Sequence, residues 1–155
     1  MANNLFPKGY ETEVIEDVQV QEKKVGYRPS VTFDFVTGDF PRDGRYRMIP
    51  ATGVEAAKQW CMKELLTERY KHLAYSTDRG VNYDAVFGAE TRGMSESIFI
   101  REATEALTSD PYGRVMYVPE ITIEWTKADA FSAHVTVELI YDVTIDFDVE
   151  ILKAG

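Results

Sequence analysis

The sequence predicts an α+β fold in which two helices pack on a mainly antiparallel sheet, with an extended N-terminal arm. Apolar residues recur at helical spacing in two segments, 52–67 and 93–109. Apolar and polar residues alternate, as in half-buried strands, over most of residues 115–151. Residues 1–30 are polar with isolated valines and isoleucines, so they bury little surface alone. We therefore predict an arm over residues 1–30 and a single domain over residues 31–155.

A β-hairpin is predicted over residues 31–49. The residues from Val31 to Phe35 alternate between apolar and polar side chains, which indicates a half-buried strand. Glycine and proline residues then mark a turn region. Residues 45–49 are expected to form the returning strand.

The first helix is predicted to begin at Thr52 and to end near Thr67. Glu55 follows Thr52 by three residues, which is the capping-box pattern: each side chain bonds a free backbone N–H at the helix start. An apolar stripe follows at helical spacing. Cys61 lies on that stripe and is the only cysteine, so we expect a small core residue rather than a reactive thiol.

The segment after the first helix is predicted to form a short strand, a turn and a return to the core. Tyr70 to Tyr75 is rich in aromatic residues, which favours a strand, and Tyr70 is expected in the core. Residues 76–80 have the composition of a turn. The apolar side chains beyond the turn are expected to pack on the core; they are Tyr83, Val86 and Phe87.

The second helix is predicted over residues 93–109. Ile100, Ala103 and Leu107 form its apolar stripe. The helix is expected to end at Asp110-Pro111, because the residue before a proline disfavours helical geometry.

One alternating stretch is unusually long. It runs for 17 residues, from Val135 to Ile151, whereas strands usually have about 5–6 residues. We therefore expect the stretch to bend, break or project. Two interpretations remain open: a bent hairpin strand with a solvated acidic face, or a projecting strand whose free edge completes the sheet of another protein.

Composition excludes several classes of function. The net charge of −9 argues against binding duplex nucleic acid, since such proteins present basic surfaces. No apolar run approaches the ~18 residues that cross a bilayer. The two histidines, His72 and His134, are far apart in the sequence, and no metal-ligand or phosphate-loop pattern occurs. We predict no catalytic residue, no metal and no cofactor.

Several motifs together resemble a known family. They are Gly53-Val54-Glu55-Ala56, Thr67-Glu68-Arg69-Tyr70, Tyr75-Ser76, Phe87-Gly88 and Glu105-Ala106-Leu107 followed by Asp110-Pro111. In this order they resemble the small tail proteins of PBSX-type defective prophages, over about residues 29–126. That family is related to the small baseplate wedge subunit of contractile phage tails, which once carried a lysozyme-like label.

The resemblance implies a structural role without catalysis. The chain would join the inner wedge of a baseplate and provide the platform on which the first sheath ring assembles, in several copies around a ring. Its partners would be wedge proteins and the sheath protein, with neither nucleic acid nor membrane involved. Its place would be the tail baseplate of a virion or a phage-tail-like particle, assembled in the bacterial host cytoplasm. Two alternatives are a tube-to-baseplate adaptor and a cell-wall hydrolase.

The resemblance also suggests five partner-binding residues: Glu68, Arg69, Asp110, Pro111 and Arg114. Arg69 follows a helix end, where it could form an exposed ion pair or an arginine clamp within the wedge. The family's acidic-Pro-Arg element here has its arginine displaced by two positions, at Arg114. Either Arg114 substitutes through a local bulge or that contact is altered. We expect Arg69→Ala and Arg114→Ala to leave the domain folded and to impair particle assembly.

Overall fold

The computed structural model describes residues 27–153, which form three helices and two antiparallel sheets. The α+β class is confirmed, with one short helix more than the sequence predicted. Residues 1–26 of the predicted arm lie outside the described residues. The predicted boundary between the arm and the domain, at residue 30, stays a prediction. In chain order the elements are β1 (Ser30–Val31), β2 (Pro50–Ala51), α1 (Gly53–Leu66), α2 (Tyr83–Phe87), α3 (Arg92–Thr108), β3 (Val115–Lys127), β4 (Ala130–Leu139) and β5 (Val143–Leu152).

The main sheet is a meander with the strand order β3-β4-β5. The long alternating stretch breaks after Leu139 and returns at Val143, which pairs with Leu139. Tyr141 and Asp142 make this reversal with φ angles of +70° and +54°. The stretch is therefore a hairpin, and the acidic side chains of β5 at Asp146, Asp148 and Glu150 are exposed, as one of the two interpretations held.

The core lies between the inward face of the sheet and the helices α1 and α3. Alternate residues of β4 and β5 are buried there against apolar residues of both helices, as the alternation requires. Cys61 is completely buried, and burial raises the pKa of its thiol to about 12. The prediction of a core cysteine is confirmed. On α3, Ala103 and Leu107 are buried with Phe99, whereas Ile100 is exposed.

The start of α1 differs from the prediction. Thr52 is the N-cap residue, but its side chain makes no capping bond, and Glu55 instead accepts a hydrogen bond from Gln59. The predicted capping box is wrong. Thr52 itself is extended, as an N-cap residue should be, but Gly53 at the first helical position has φ +59° instead of a right-handed helical angle, so the first turn does not have the geometry of a capping box.

The predicted hairpin over 31–49 is mostly a loop. Only β1 and β2 pair as strands, at the base of the loop, and two isolated bridges follow between them. Asp34 and Asp43 explain the difference. The carboxylate of Asp34 accepts the backbone N–H groups of residues 36 and 37, and that of Asp43 accepts those of residues 45 and 47. These local bonds replace the ladder that strands would form.

The predicted strand from Tyr70 to Tyr75 is also wrong. Tyr70 has φ +68° and is 66% exposed, so it does not pack in the core. Beyond α1, Glu68 forms an isolated parallel bridge with Val81, and the residues between them form turns and bends. The turn at residues 76–80 is confirmed, and α2 follows it with Val86 completely buried.

Candidate partner-binding surface

The exit of α1 is held by a close backbone contact with Gly80. The N–H of Val81 donates to the carbonyl of Thr67 at 3.0 Å, and the N–H of Arg69 donates to the carbonyl of Val81 at 2.9 Å. Gly80 has φ +79°, and a Cβ atom there would lie 2.3 Å from the Thr67 carbonyl oxygen. Only glycine fits both the conformation and the space.

Glu64 fixes the turn that contains Gly80. Its side chain on α1 is completely buried and accepts the N–H of Gly80 at 2.9 Å. Arg79 donates to the same carboxylate from Nη2 at 2.8 Å and from Nε at 3.2 Å. The hydrogen bond to Glu64 raises the pKa of Arg79. Because 15 residues separate the two charges, nothing in the local sequence pattern marked them as a pair.

Arg69 joins the end of α1 to α3. Its Nε donates to the Gly80 carbonyl at 2.9 Å, and its Nη1 donates to Glu105 at 3.3 Å. Nη1 also lies 3.1 Å from Glu102 Oε2, without hydrogen-bond alignment. Burial alone would lower the pKa of Arg69, but the hydrogen bond to Glu105 and the two carboxylate charges raise it. Arg69 is thus a buried bridge within this chain, not an exposed ion pair.

Glu68 is the more accessible member of the predicted pair. Its side chain is 27% exposed and forms an ion pair with Lys71, which is itself more exposed. The hydrogen bond to Glu68 raises the pKa of Lys71. Such pairs contribute ~0–1 kcal/mol, so Glu68 is free to exchange its partner at small cost.

Asp110 and Arg114 form a closed buried pair at the corner between α3 and β3. Arg114 Nε donates to Asp110 Oδ2 at 2.8 Å, and Arg114 Nη2 donates to Asp110 Oδ1 at 3.0 Å. The backbone N–H groups of Tyr112 and Arg114 donate to the same carboxylate. Burial alone would raise the pKa of Asp110, but these hydrogen bonds hold it below its ordinary value.

Gly113 lets the displaced arginine reach its partner. It has φ +61°, and its N–H donates to the Asp110 carbonyl at 2.9 Å, which reverses the chain within the corner. Arg114 then lies 4.8 Å from the ring centroid of Trp60 on α1. Arg114 therefore pairs with Asp110 of its own chain through a local turn. Pro111 and Tyr112 are exposed on the outside of this turn.

The turn before Gly80 contacts the C-terminal end of α3. Ser109, at the end of α3, donates to the carbonyl of Asp78 in the turn before Gly80 at 3.3 Å. The charge of Asp110 contributes to the raised pKa of Arg79. Beside these buried pairs, Glu105 and Pro111 are exposed and Glu68 is partly exposed; we call these three residues the corner surface.

The sheet offers a second surface at its outer edge. β5 pairs with β4 at every residue from Val143 to Leu152 without a bulge, and no strand pairs with its other edge within residues 27–153. The opposite edge strand, β3, contains Pro119 and has register shifts against β4. Proline and bulges protect an edge from further pairing. β5 is therefore the edge that is open to strand addition.

No group of three potential ligands that could hold a metal ion occurs among residues 27–153. His134 on β4 pairs across the strands with Asp148 at 2.8 Å, and this hydrogen bond raises the pKa of His134. None of the helices in that range is both long and apolar enough to span a bilayer.

Comparison with known families identifies the chain. The sequence model of one protein family, the contractile injection system sheath initiators, matches residues 30–142. The chain belongs to the sheath initiator family. This membership gives it a structural role in sheath assembly, places it at the tail of a contractile injection system, and makes sheath and baseplate components its partners. No curated protein matches the sequence.

Proposed function

We propose that this sheath initiator is a baseplate wedge subunit that nucleates the first ring of sheath subunits. The observation that carries the proposal is the open edge of β5. A regular ten-residue edge presents backbone N–H and C=O groups in register, which an incoming strand of a sheath subunit can pair with. Family membership supplies the class of partner.

The acidic face of β5 suits an edge that must wait for its partner. Asp146, Asp148 and Glu150 are exposed beside that edge, and the chain carries a net charge of −9. Like charges keep two copies of the chain from pairing edge to edge. A sheath strand with basic residues would be attracted to the same edge.

The corner surface is the proposed contact with the wedge. Arg69, Asp110 and Arg114 were predicted to bind a partner directly, but each is more than 90% buried in contacts within the chain. We assign them the role of fixing the shape of this corner. Glu68 and Pro111, which are accessible, would then touch the wedge protein. Many weak contacts repeated around a ring would hold the assembly together.

Nucleation is tested with the purified sheath protein of the same particle. Addition of this chain, together with the wedge proteins, is expected to shorten the lag of sheath polymerisation measured by light scattering. A photo-crosslinking residue at Glu150 should form a covalent product with the sheath protein, whereas the same residue at Ser97 on the exposed face of α3 should not. An unchanged lag, or crosslinks from Ser97 alone, would overturn the proposal.

The wedge contact is tested by a matched pair of charge reversals. Glu68→Lys is expected to weaken recovery of the wedge protein about fivefold, the equivalent of ~1 kcal/mol for an exposed ion pair. Glu90→Lys makes the same change of charge at an exposed residue outside the corner surface and should have no effect. Equal recovery with both variants contradicts the assignment. Recovery of a tube protein instead of wedge and sheath proteins would favour an adaptor.

A further inference from the structure

A concave surface lies on the side of α1 that carries Trp60. It is a groove of about 600 Å³, which we call the aromatic groove. Phe33, Phe35 and Phe40 form one wall, with ring centroids 5.0 Å apart in edge-on contacts. Trp60 and Tyr112 form the other. The backbone N–H of Phe33 donates to Gln59 on α1 at 3.2 Å, which fixes the first wall to the helix.

The aromatic groove leaves apolar surface uncovered. Phe40 is 40% exposed and Tyr112 is 53% exposed. A concave surface lined by aromatic side chains and a few polar groups is the usual form of a binding site. The described residues place no other element over the groove.

The charge of the groove is opposite to that of the chain. Arg28 and Lys63 lie on its border and form no ion pair within residues 27–153, and none of the residues that line the groove is a carboxylate. Arg28 lies 4.4 Å from the centroid of the Tyr112 ring. The groove therefore suits an occupant that carries both apolar side chains and carboxylates.

The chain itself contains such a segment next to the groove. Residues 11–22 include five acidic and no basic residues, with valines and an isoleucine between them. Residue 22 precedes Tyr27 by five residues, a reach of up to about 17 Å. Tyr27 is anchored by its hydroxyl, which donates to the Ile140 carbonyl at 2.7 Å, and Arg28 already borders the groove.

We propose that the acidic segment of residues 11–22 binds in the aromatic groove of its own chain. Its carboxylates pair with Arg28 and Lys63, and its aliphatic side chains cover the rings of Phe40 and Tyr112. The tether keeps the segment at a high effective concentration, so weak contacts suffice. A second copy of the chain is disfavoured as the source, because two chains of net charge −9 repel each other. This occupancy does not depend on the proposed wedge contact.

The test is paramagnetic NMR on the full chain. A nitroxide is attached to a cysteine introduced at Val18, and Cys61 does not compete for the label because it is completely buried. The amide signals of Gln59 and Lys63 are expected to lose intensity relative to the reduced label. Those of Ser97 and Thr104, on the far face of α3, should keep theirs.

Charge reversal provides the matched control. Reversal of Arg28 and Lys63 to glutamate should reduce occupancy of the groove about fivefold for each charge, the fold-change that corresponds to ~1 kcal/mol at an exposed pair. Lys58→Glu makes the same change on α1 outside the groove and should preserve the signal loss. Three results would overturn the proposal. The first is no preferential loss of signal intensity at Gln59 and Lys63, and the second is a loss that persists when Arg28 and Lys63 are reversed to glutamate. The third is a loss in isotope-labelled chains that carry no spin label when they are mixed with spin-labelled chains.

Discussion

The turn at Gly80 and the corner at Gly113 both reverse the chain beside a buried carboxylate, but different contacts hold them. Each has a glycine with positive φ beside a buried carboxylate that binds an arginine and a backbone N–H. At the corner, the carboxylate and arginine are four residues apart, and the glycine has open space around it. At the turn, the carboxylate comes from α1, 15 residues away, and the glycine touches the backbone of Thr67. The corner is thus a local device, whereas the turn depends on the tertiary fold.

The largest expected effect comes from removal of Arg114. Arg114→Met leaves Asp110 buried without its cation, which should lower the free energy of unfolding by about 3–5 kcal/mol. Arg79→Met is the matched change at the turn. It should cost less, about 1.5–3 kcal/mol, because the Arg79 side chain is 29% exposed whereas that of Arg114 is 7% exposed, so the interaction of Arg79 with its carboxylate is partly screened by water. Urea unfolding measures both.

The burial of Arg114 and Arg69 changes the expected outcome of their removal. The sequence alone predicted that Arg69→Ala and Arg114→Ala leave the domain folded, whereas we now expect both variants to lower its stability. Equal costs for Arg114→Met and Arg79→Met would remove the distinction between the local and the tertiary device.

Alanine substitutions at Gly80 and Gly113 compare the backbone requirements of the turn and the corner. Gly113→Ala tests the positive φ alone and should cost about 1–2 kcal/mol. Gly80→Ala adds the contact at 2.3 Å with the Thr67 oxygen and should cost more. Thermal unfolding of the two variants measures the difference. Gly93→Ala, at an open position inside α3, is the control and should be neutral or slightly stabilising. A Gly80→Ala variant as stable as Gly113→Ala would contradict the close contact.

The smallest effect concerns acid stability at the corner. The pKa of Asp110 is lowered in the folded chain, so its pairing stabilises the fold above the pKa of the unfolded chain, near 3.8, and the contribution is lost as pH falls through the folded value. The stability difference between wild type and Asp110→Asn should therefore be constant near neutral pH and shrink below about pH 3.8. Urea midpoints across pH check this. A difference that grows in acid would have the wrong sign.

The sequence predicted the elements that depend on local patterns. The helical stripe of α1, the helix before Asp110-Pro111 and the alternation of β4 and β5 all appear as expected, because periodicity reports which face is buried. The sequence-based prediction failed where a side chain binds backbone groups, either far away in the chain or within the same turn. The predicted hairpin is a loop because the carboxylates of Asp34 and Asp43 bind nearby backbone N–H groups. The bridge from Glu68 to Val81 lies just before Tyr70, whose side chain is exposed instead of packing in the core.

The partner-binding role of Glu68, Arg69, Asp110, Pro111 and Arg114 stays a prediction. Three of them, Arg69, Asp110 and Arg114, are buried in contacts within the chain. Their burial could not be read from the sequence, since the contacts of Arg69 with Gly80 and Glu105 span 11 and 36 residues. Glu64, which holds the turn, resembled any other helical carboxylate until its partner at residue 79 was known.

The packing of β5 against α1 has a consequence for synthesis on the ribosome. The core face of α1, with Ala57, Cys61 and Leu65, gains part of its cover only from a strand that begins at Val143. A nascent chain must therefore expose that face to chaperones until β5 has emerged from the exit tunnel. A chain that stops before Val143 would leave this part of α1 uncovered and prone to aggregation.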